Sequence, residues 1–218
     1  MKIGILFDLD GTLLDTLQDL TDSVNFALEQ FDCPLRSEKE IRSFLGNGVR
    51  HLIASALPET DAPPLEKVLE VYQGHYAVHN QDKTAPYHGI LQALERLKEH
   101  YGLAIVSNKH HSAVESICAH YFGKDIYARG ETADCPRKPA PDMLFRAMEA
   151  LDVQNCIYVG DSEVDLLAAK NAGVPCLAVS WGFRDRQELE QAGAVHICHR
   201  PEEMAAMLEG MAESLFCQ

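Results

Sequence analysis

Short apolar runs recur along the chain, and each is followed by a stretch with helical spacing. Ile3–Phe7, Leu103–Val106, Ile157–Val159 and Cys176–Val179 are nearly continuous rather than alternating, the pattern of strands buried on both faces of a parallel sheet. Ile126–Tyr127 and Val195–Ile197 carry a weaker form of the signal and predict short flanking strands. Leu91, Leu94, Leu97 and Tyr101 mark one helical stripe, Leu144, Met148 and Leu151 a second, and Leu166–Ala169 sits in a third. This alternation predicts an α/β fold, a Rossmann-like doubly wound parallel sheet with helices on both faces.

One interval breaks the alternation. From about Thr16 to Asp82 no strand pattern occurs, while Leu17, Leu20, Val24, Ala27, Leu28 and Phe31 follow helical spacing. Further helices are predicted around Gly48–Leu57 and across Leu65–His79, with Pro58, Pro63 and Pro64 as punctuation. The division expected is an α/β core of residues 1–15 and 83–218 with an inserted α-helical cap at 16–82. Its two connections, near Asp15–Thr16 and Gln81–Pro86, would be neighbours and could act as a hinge.

Composition narrows the function classes. The 218 residues include 33 acidic and 19 basic side chains, a formal charge of −14, which argues against a phosphate-tracking nucleic-acid binder. A small anionic substrate remains compatible, because a metal ion and a lysine can reverse the field locally. The apolar run after Lys2 meets Asp8 and Asp10 too early for a signal peptide, and no stretch reaches the roughly 20 apolar residues of a membrane span. Seven scattered cysteines (33, 118, 135, 156, 176, 198 and 217) form no close pair, so neither a disulfide framework nor a zinc ribbon is expected. The expected home is a reducing cytoplasm.

Four short motifs fall at predicted strand ends, where open α/β sheets bind ligands. Ile3–Phe7 runs into Asp8-Leu9-Asp10-Gly11-Thr12, two carboxylates that can divide nucleophilic or metal-binding work from proton transfer. Leu103–Val106 leads into Ser107-Asn108-Lys109, a hydroxyl and backbone amides suited to a phosphate oxygen or to a helix cap. Arg137-Lys138-Pro139-Ala140-Pro141-Asp142 holds a lysine ahead of a helix, where it could neutralise charge on a transferring group. Ile157–Val159 opens into Gly160-Asp161-Ser162-Glu163-Val164-Asp165, with carboxylates four residues apart.

In this order the four motifs, with the helical insert after the first, resemble the haloacid dehalogenase superfamily across nearly the whole chain. Within it the chain is most similar to the phosphoglycolate phosphatase group. The resemblance implies a Mg2+-dependent phosphatase acting on a small phosphate monoester through an aspartyl-phosphate. Asp8 would be the nucleophile and Asp10 the acid and base. The metal would be held by Asp8, Asp161 and the backbone carbonyl of Asp10, with Asp165 supporting them from behind. Ser107 and Lys138 would hold the transferring phosphoryl, assisted by Asn108 and the amides around Asp10, Gly11 and Thr12. Asp10 argues for phosphate-ester chemistry over dehalogenation or phosphonate cleavage. An inorganic pyrophosphatase remains an alternative. So does a phosphomutase resembling the β-phosphoglucomutase group, although that group usually has Glu-Asp where this chain has Gly160-Asp161. A noncatalytic phospholigand-binding module is a third reading, weakened because no charged position of the four motifs is missing. The partner expected is a small phosphorylated metabolite, with no nucleic acid and no membrane, and the chain is expected as a monomer or homodimer.

Substrate choice in this branch is usually made by the cap. There Gly46-Asn47-Gly48-Val49-Arg50-His51 places a glycine turn before a helix, and Arg50 could meet an anionic group of the substrate or lie on the surface. His75 and His79 make only half a zinc site and read as a helix surface. His110 and His111 follow the second motif with no assigned role. Trp181-Gly182-Phe183 follows the fifth strand and reads as rim or lid packing.

Overall fold

Strand β1 (Ile3–Phe7) is buried along its whole length. In the computed structural model, which describes residues 2–216, it lies inside a parallel sheet rather than at an edge. Cys217 lies outside the described residues. Following β1 come β2 (Leu14–Asp15) and the helices α1 (Leu17–Glu29), α2 (Glu38–Phe44), α3 (Val49–Ala56) and α4 (Leu65–His79). Next are β3 (Ala85–Pro86), α5 (Ile90–Leu97), β4 (Gly102–His110), α6 (His111–Tyr121) and β5 (Tyr127–Glu131). The remainder comprises α7 (Asp142–Leu151), β6 (Asn155–Gly160), α8 (Glu163–Ala172), β7 (Cys176–Val179), α9 (Arg186–Gln191), β8 (His196–Cys198) and α10 (Pro201–Phe216).

The chain separates into two compact units, one running to Leu14 and resuming at Pro86, the other spanning Asp15–Ala85. In the first, six parallel strands take the order β5-β4-β1-β6-β7-β8. Winding proceeds outward from β1 through β4 to β5, then restarts on its other side at β6. The carboxyl ends of β1, β4 and β6 therefore flank the switch point, where such sheets open a crevice for ligands. Both faces are covered. Ile5 and Phe7 pack with Ile90, Leu97, Val114, Ile117, Met204 and Leu208, whereas Leu6, Ala104 and Tyr158 pack with Met143, Leu144 and Ala168. Burial on both faces is why these strands are continuous apolar runs.

Several element details differ from the sequence reading. The buried stripe of α5 is Ile90, Ala93, Leu94 and Leu97, and Leu91 is exposed, because the helix begins at Ile90 and its i, i+3, i+4, i+7 face is the one turned inward. In α7 the fully buried residues are Met143, Leu144 and Ala147, with Met148 and Leu151 only partly covered. Strand β5 runs on to Glu131, and β4 continues through the second motif to His110, since the two ladder together.

The second unit is helical. Leu20, Val24, Ala27 and Leu28 of α1 are buried, as are Ile41, Leu52, Ile53, Ala56, Val68 and Leu69 of the other helices. Helix α2 carries a signal that apolar periodicity alone does not show: Ser37 and Glu40 form a reciprocal capping box. Asp19 of α1 accepts from the Lys83 and Thr84 amides and from the Thr84 hydroxyl, which ties the end of the unit back to its first helix. Among the described residues no helix is long and apolar enough to cross a membrane, and the six described cysteines are free thiols.

Candidate active site

Asp8 follows β1 directly, and its amide donates to the carbonyl of Val159 at 2.8 Å, so the β1–β6 ladder continues one residue into the site. Asp161 follows β6 in the same way. Its carboxylate accepts from the Thr12 hydroxyl at 3.3 Å and from the Phe183 amide at 2.6 Å. The Trp181 indole donates to the Thr12 carbonyl at 3.0 Å. The Trp181-Gly182-Phe183 segment thus fixes the Asp161 carboxylate and the loop of the first motif, a more specific task than rim packing. Gly182 makes this possible, because a Cβ there would press into the Gly11 carbonyl and the Asp161 side chain. Gly182→Ala is expected to cost at least about 1–3 kcal/mol through overpacking against backbone. That is a fall in Tm of several degrees, and an unchanged melting curve would show that the segment yields.

Lys138 presents its ammonium directly to Asp8. Its Nζ lies 2.8 Å from Asp8 Oδ1, 2.7 Å from Asp165 Oδ1 and 2.9 Å from the Tyr158 hydroxyl. An ammonium has three protons, and here three protein acceptors face them. Asp165 caps α8: its Oδ2 accepts from the Ser162 amide and hydroxyl, at 3.1 and 2.6 Å, while its Oδ1 also accepts from the Tyr158 hydroxyl at 2.9 Å. Both of its oxygens are therefore taken by protein donors. The Lys138–Pro139 peptide is cis.

From β4, Ser107 is buried, and its Oγ accepts from the Lys109 amide at 3.2 Å. Asn108, expected to help hold a phosphoryl group, gives both ends of its side-chain amide to the Lys138 backbone: Nδ2 donates to the Lys138 carbonyl at 2.9 Å, and Oδ1 accepts from its N–H at 2.8 Å. The work visible for Asn108 is to position Lys138. Lys109 itself, to which no role attaches in the sequence, donates from Nζ to Asp10 Oδ1 at 2.6 Å. Tyr158 was likewise invisible as a site residue, since within an apolar run it reads as core. The alternation along β6 was the available signal, because residues 158 and 160 share a face and Asp165 caps the helix above it.

The electrostatics call for a cation. Burial, reinforced by Asp165 and Asp10 and opposed by Lys138, pushes the Asp8 carboxyl up to about 7. Burial, with Asp165 and Asp8, drives Asp161 well above the carboxylate range despite the Phe183 amide and Lys138. Burial pulls Lys138 down, but Asp165 and Asp8 more than offset it and keep the ammonium protonated. One ammonium cannot balance three buried carboxylates. Asp8, Asp161 and Asp165 each place an oxygen within 4.8 Å of the others, the only metal-suited group of His, Cys, Asp and Glu among the described residues. An all-oxygen, all-carboxylate set fits a hard divalent ion such as Mg2+. With Asp165 committed to four donors, Asp8 and Asp161 are the carboxylates able to hold it.

The remaining candidates make contacts of their own. Arg50, in the helical unit, forms an exposed ion pair with Glu66. His75 stacks on Phe26 and His79 and contacts Ser23, while His79 pairs with Asp82. His110 contacts Ser112, and His111 accepts from the Gly130 amide. These are local structural contacts.

Comparison with known proteins places this geometry. Residues 5–179 match the family model of haloacid dehalogenase-like hydrolases. A phosphoglycolate phosphatase of Mesorhizobium japonicum is 33% identical over 211 residues, covering 89% of this chain and 90% of that protein. One from Cereibacter sphaeroides is 34% identical over 188 residues, covering 83% and 86%. The crystal structure of a candidate phosphoglycolate phosphatase from Lactobacillus delbrueckii subsp. bulgaricus superposes with a TM-score of 0.87 at 34% identity, covering 94% and 97%. With its motifs at the carboxyl ends of the sheet strands and a family match over most of its length, the chain belongs to the haloacid dehalogenase-like hydrolases.

Proposed function

We propose that the protein is a Mg2+-dependent phosphatase that hydrolyses a small phosphate monoester of the phosphoglycolate type through an aspartyl-phosphate. The observation that carries this reading is Asp8, at the end of the central strand and 2.8 Å from the buried Lys138 ammonium, with a second carboxylate two residues on. The names of the similar proteins supply the substrate class. Asp8 attacks phosphorus, and the ester P–O bond breaks as Asp10 gives its proton to the departing oxygen. Asp10 then takes a proton from the water that attacks phosphorus, and Asp8 is released as a carboxylate. Lys138 orients Asp8 and offsets charge on the phosphoryl group, Ser107 binds one of its oxygens, and Asp165 holds Lys138 from behind; the Gly11 and Thr12 amides, expected to assist, donate to the Leu14 and Leu9 carbonyls at 2.8 and 3.3 Å and close the turn of the first motif. When bound, Mg2+ neutralises carboxylate and phosphate charge and polarises the phosphoryl oxygen.

The protein would act on a phosphorylated metabolite in the cytoplasm, as a monomer or homodimer. Phosphate release from a panel of phosphoglycolate, sugar phosphates, nucleotides and pyrophosphate tests the assignment. A preference for pyrophosphate would move it to the pyrophosphatase reading, and isomerised sugar phosphate without free phosphate to the mutase. No turnover of any ester, p-nitrophenyl phosphate included, would leave a binding module. One observation weighs against the mutase: a Cβ at position 160 would press on the Asp165 side chain, so the space an acidic residue there needs is filled.

Arg50 is the candidate for recognising the substrate's carboxylate. Its present partner Glu66 is exposed, and such pairs are easily exchanged. Arg50→Ala is expected to lower kcat/KM for phosphoglycolate roughly tenfold relative to p-nitrophenyl phosphate, which lacks a carboxylate. An unchanged ratio would remove Arg50 from the site.

A further inference from the structure

We propose that Lys109 is a positioning residue for Asp10, and that it serves above all the half-reaction in which water attacks. The inference rests on the phosphatase reading above and adds to it a division of labour between two lysines.

The three protons of Lys138 are directed at Asp8, Asp165 and Tyr158. Lys109 reaches Asp10, with Nζ 2.6 Å from Asp10 Oδ1 and both side chains largely removed from solvent, 8% and 16% exposed. The backbone that carries it is held on two sides. Its amide donates to Ser107 Oγ, and the following residue, His110, ladders with Glu131 of β5. Gly130 of β5 lies so close that a Cβ there would strike the Lys109 carbonyl and the His111 backbone. The lysine thus projects from a fixed strand onto a carboxylate at the end of the neighbouring strand. A pair this sheltered adds little net stability, because desolvation offsets its attraction. What it does give is orientation: an ammonium fixes one carboxylate oxygen of a group that must reach first the leaving oxygen and then a water molecule.

The two half-reactions differ in their need for Asp10. In the first, the Asp8–phosphorus bond forms and the ester bond breaks; a leaving group that departs as a stable anion, such as p-nitrophenolate, needs no proton. In the second, the water oxygen bonds to phosphorus, the Asp8–phosphorus bond breaks and the water proton passes to the Asp10 carboxylate, whatever the leaving group. Loss of Lys109 with p-nitrophenyl phosphate should therefore leave the first step and slow the second.

The experiment is stopped-flow hydrolysis of p-nitrophenyl phosphate with Mg2+ by the wild type, Lys109→Met and Lys109→Arg, with acid-quench trapping of phosphorylated protein. Lys109→Met is expected to release a burst of about one equivalent of p-nitrophenolate, then turn over about 10–100-fold more slowly than wild type, a part of the usual contribution of general acid–base catalysis. Phosphorylated protein should accumulate, KM should fall, and Lys109→Arg should recover most of the rate. A slower Lys109→Met with no burst and a raised KM would make Lys109 a phosphate-binding residue and overturn the proposal, as would unchanged kinetics. Lys109→Gln serves in the same assay if the methionine variant does not fold. Failure of the phosphatase reading shows separately, as a wild type that neither releases phosphate nor becomes phosphorylated.

Discussion

Asp8→Asn is expected to lower phosphate release by at least about 10^3–10^4-fold, since removing a nucleophile is among the largest single losses a catalytic site can show. The fold should survive. Asp8 sits in a buried cluster with Asp161 and Asp165, and its carboxyl is pushed up to about 7 mainly by burial. Asparagine removes that desolvation penalty and keeps an oxygen that can accept from Lys138 at the position now 2.8 Å away. A melting temperature at or above that of the wild type is therefore expected without added metal. Phosphate release and a thermal melt on one preparation check both halves. Rapid turnover by the variant, or a wild type in which no phosphoryl-aspartate can be trapped, would favour direct attack by water.

The sheet was legible because burial on both faces leaves a sequence trace that survives without context. Ile3–Phe7 and Cys176–Val179 read as strands and are strands, and the parallel doubly wound order follows from strands alternating with helices. Edges were less legible. Strand β5 extends to Glu131 through Arg129 and Gly130 because it ladders with β4, and pairing partners are a tertiary fact. The carboxylates at strand ends announced themselves, since Asp8 and Asp161 stand beside apolar runs where charge is costly. Residues that act through them did not. Tyr158 carries an apolar ring with one polar atom, and its hydroxyl matters only because Lys138 and Asp165, distant in sequence, meet it. The tie of Asn108 to Lys138 was hidden for the same reason, since its amide matches a backbone thirty residues on. Lys109 carried no role in the sequence, because only the run of strand β4 through it brings its ammonium to Asp10.

Removing divalent metal is expected to abolish activity and to make stability fall as pH rises. Dialysis against EDTA should reduce phosphate release to background and added Mg2+ should restore it; full turnover by metal-free protein would sink the Mg2+ assignment. The stability effect has a definite sign. Asp8 has a carboxyl near 3.8 in the unfolded chain and about 7 in the folded one. Below about pH 4 both states hold the proton and the fold bears no penalty. Between about 4 and 7 the unfolded chain releases its proton while the folded chain retains it, so stability declines with rising pH. Above 7 the folded chain carries the buried carboxylate and the loss is complete, at most about 4 kcal/mol for this group alone. Asp161, also held well above the carboxylate range by burial, acts in the same direction. A hard cation reverses the logic, because it binds the ionised carboxylates and releases their protons. The rise in Tm caused by saturating Mg2+ should therefore be larger at pH 8 than at pH 5, with a difference of order 10 °C. Equal shifts at the two pH values would mean that the metal does not bind the buried cluster of Asp8 and Asp161.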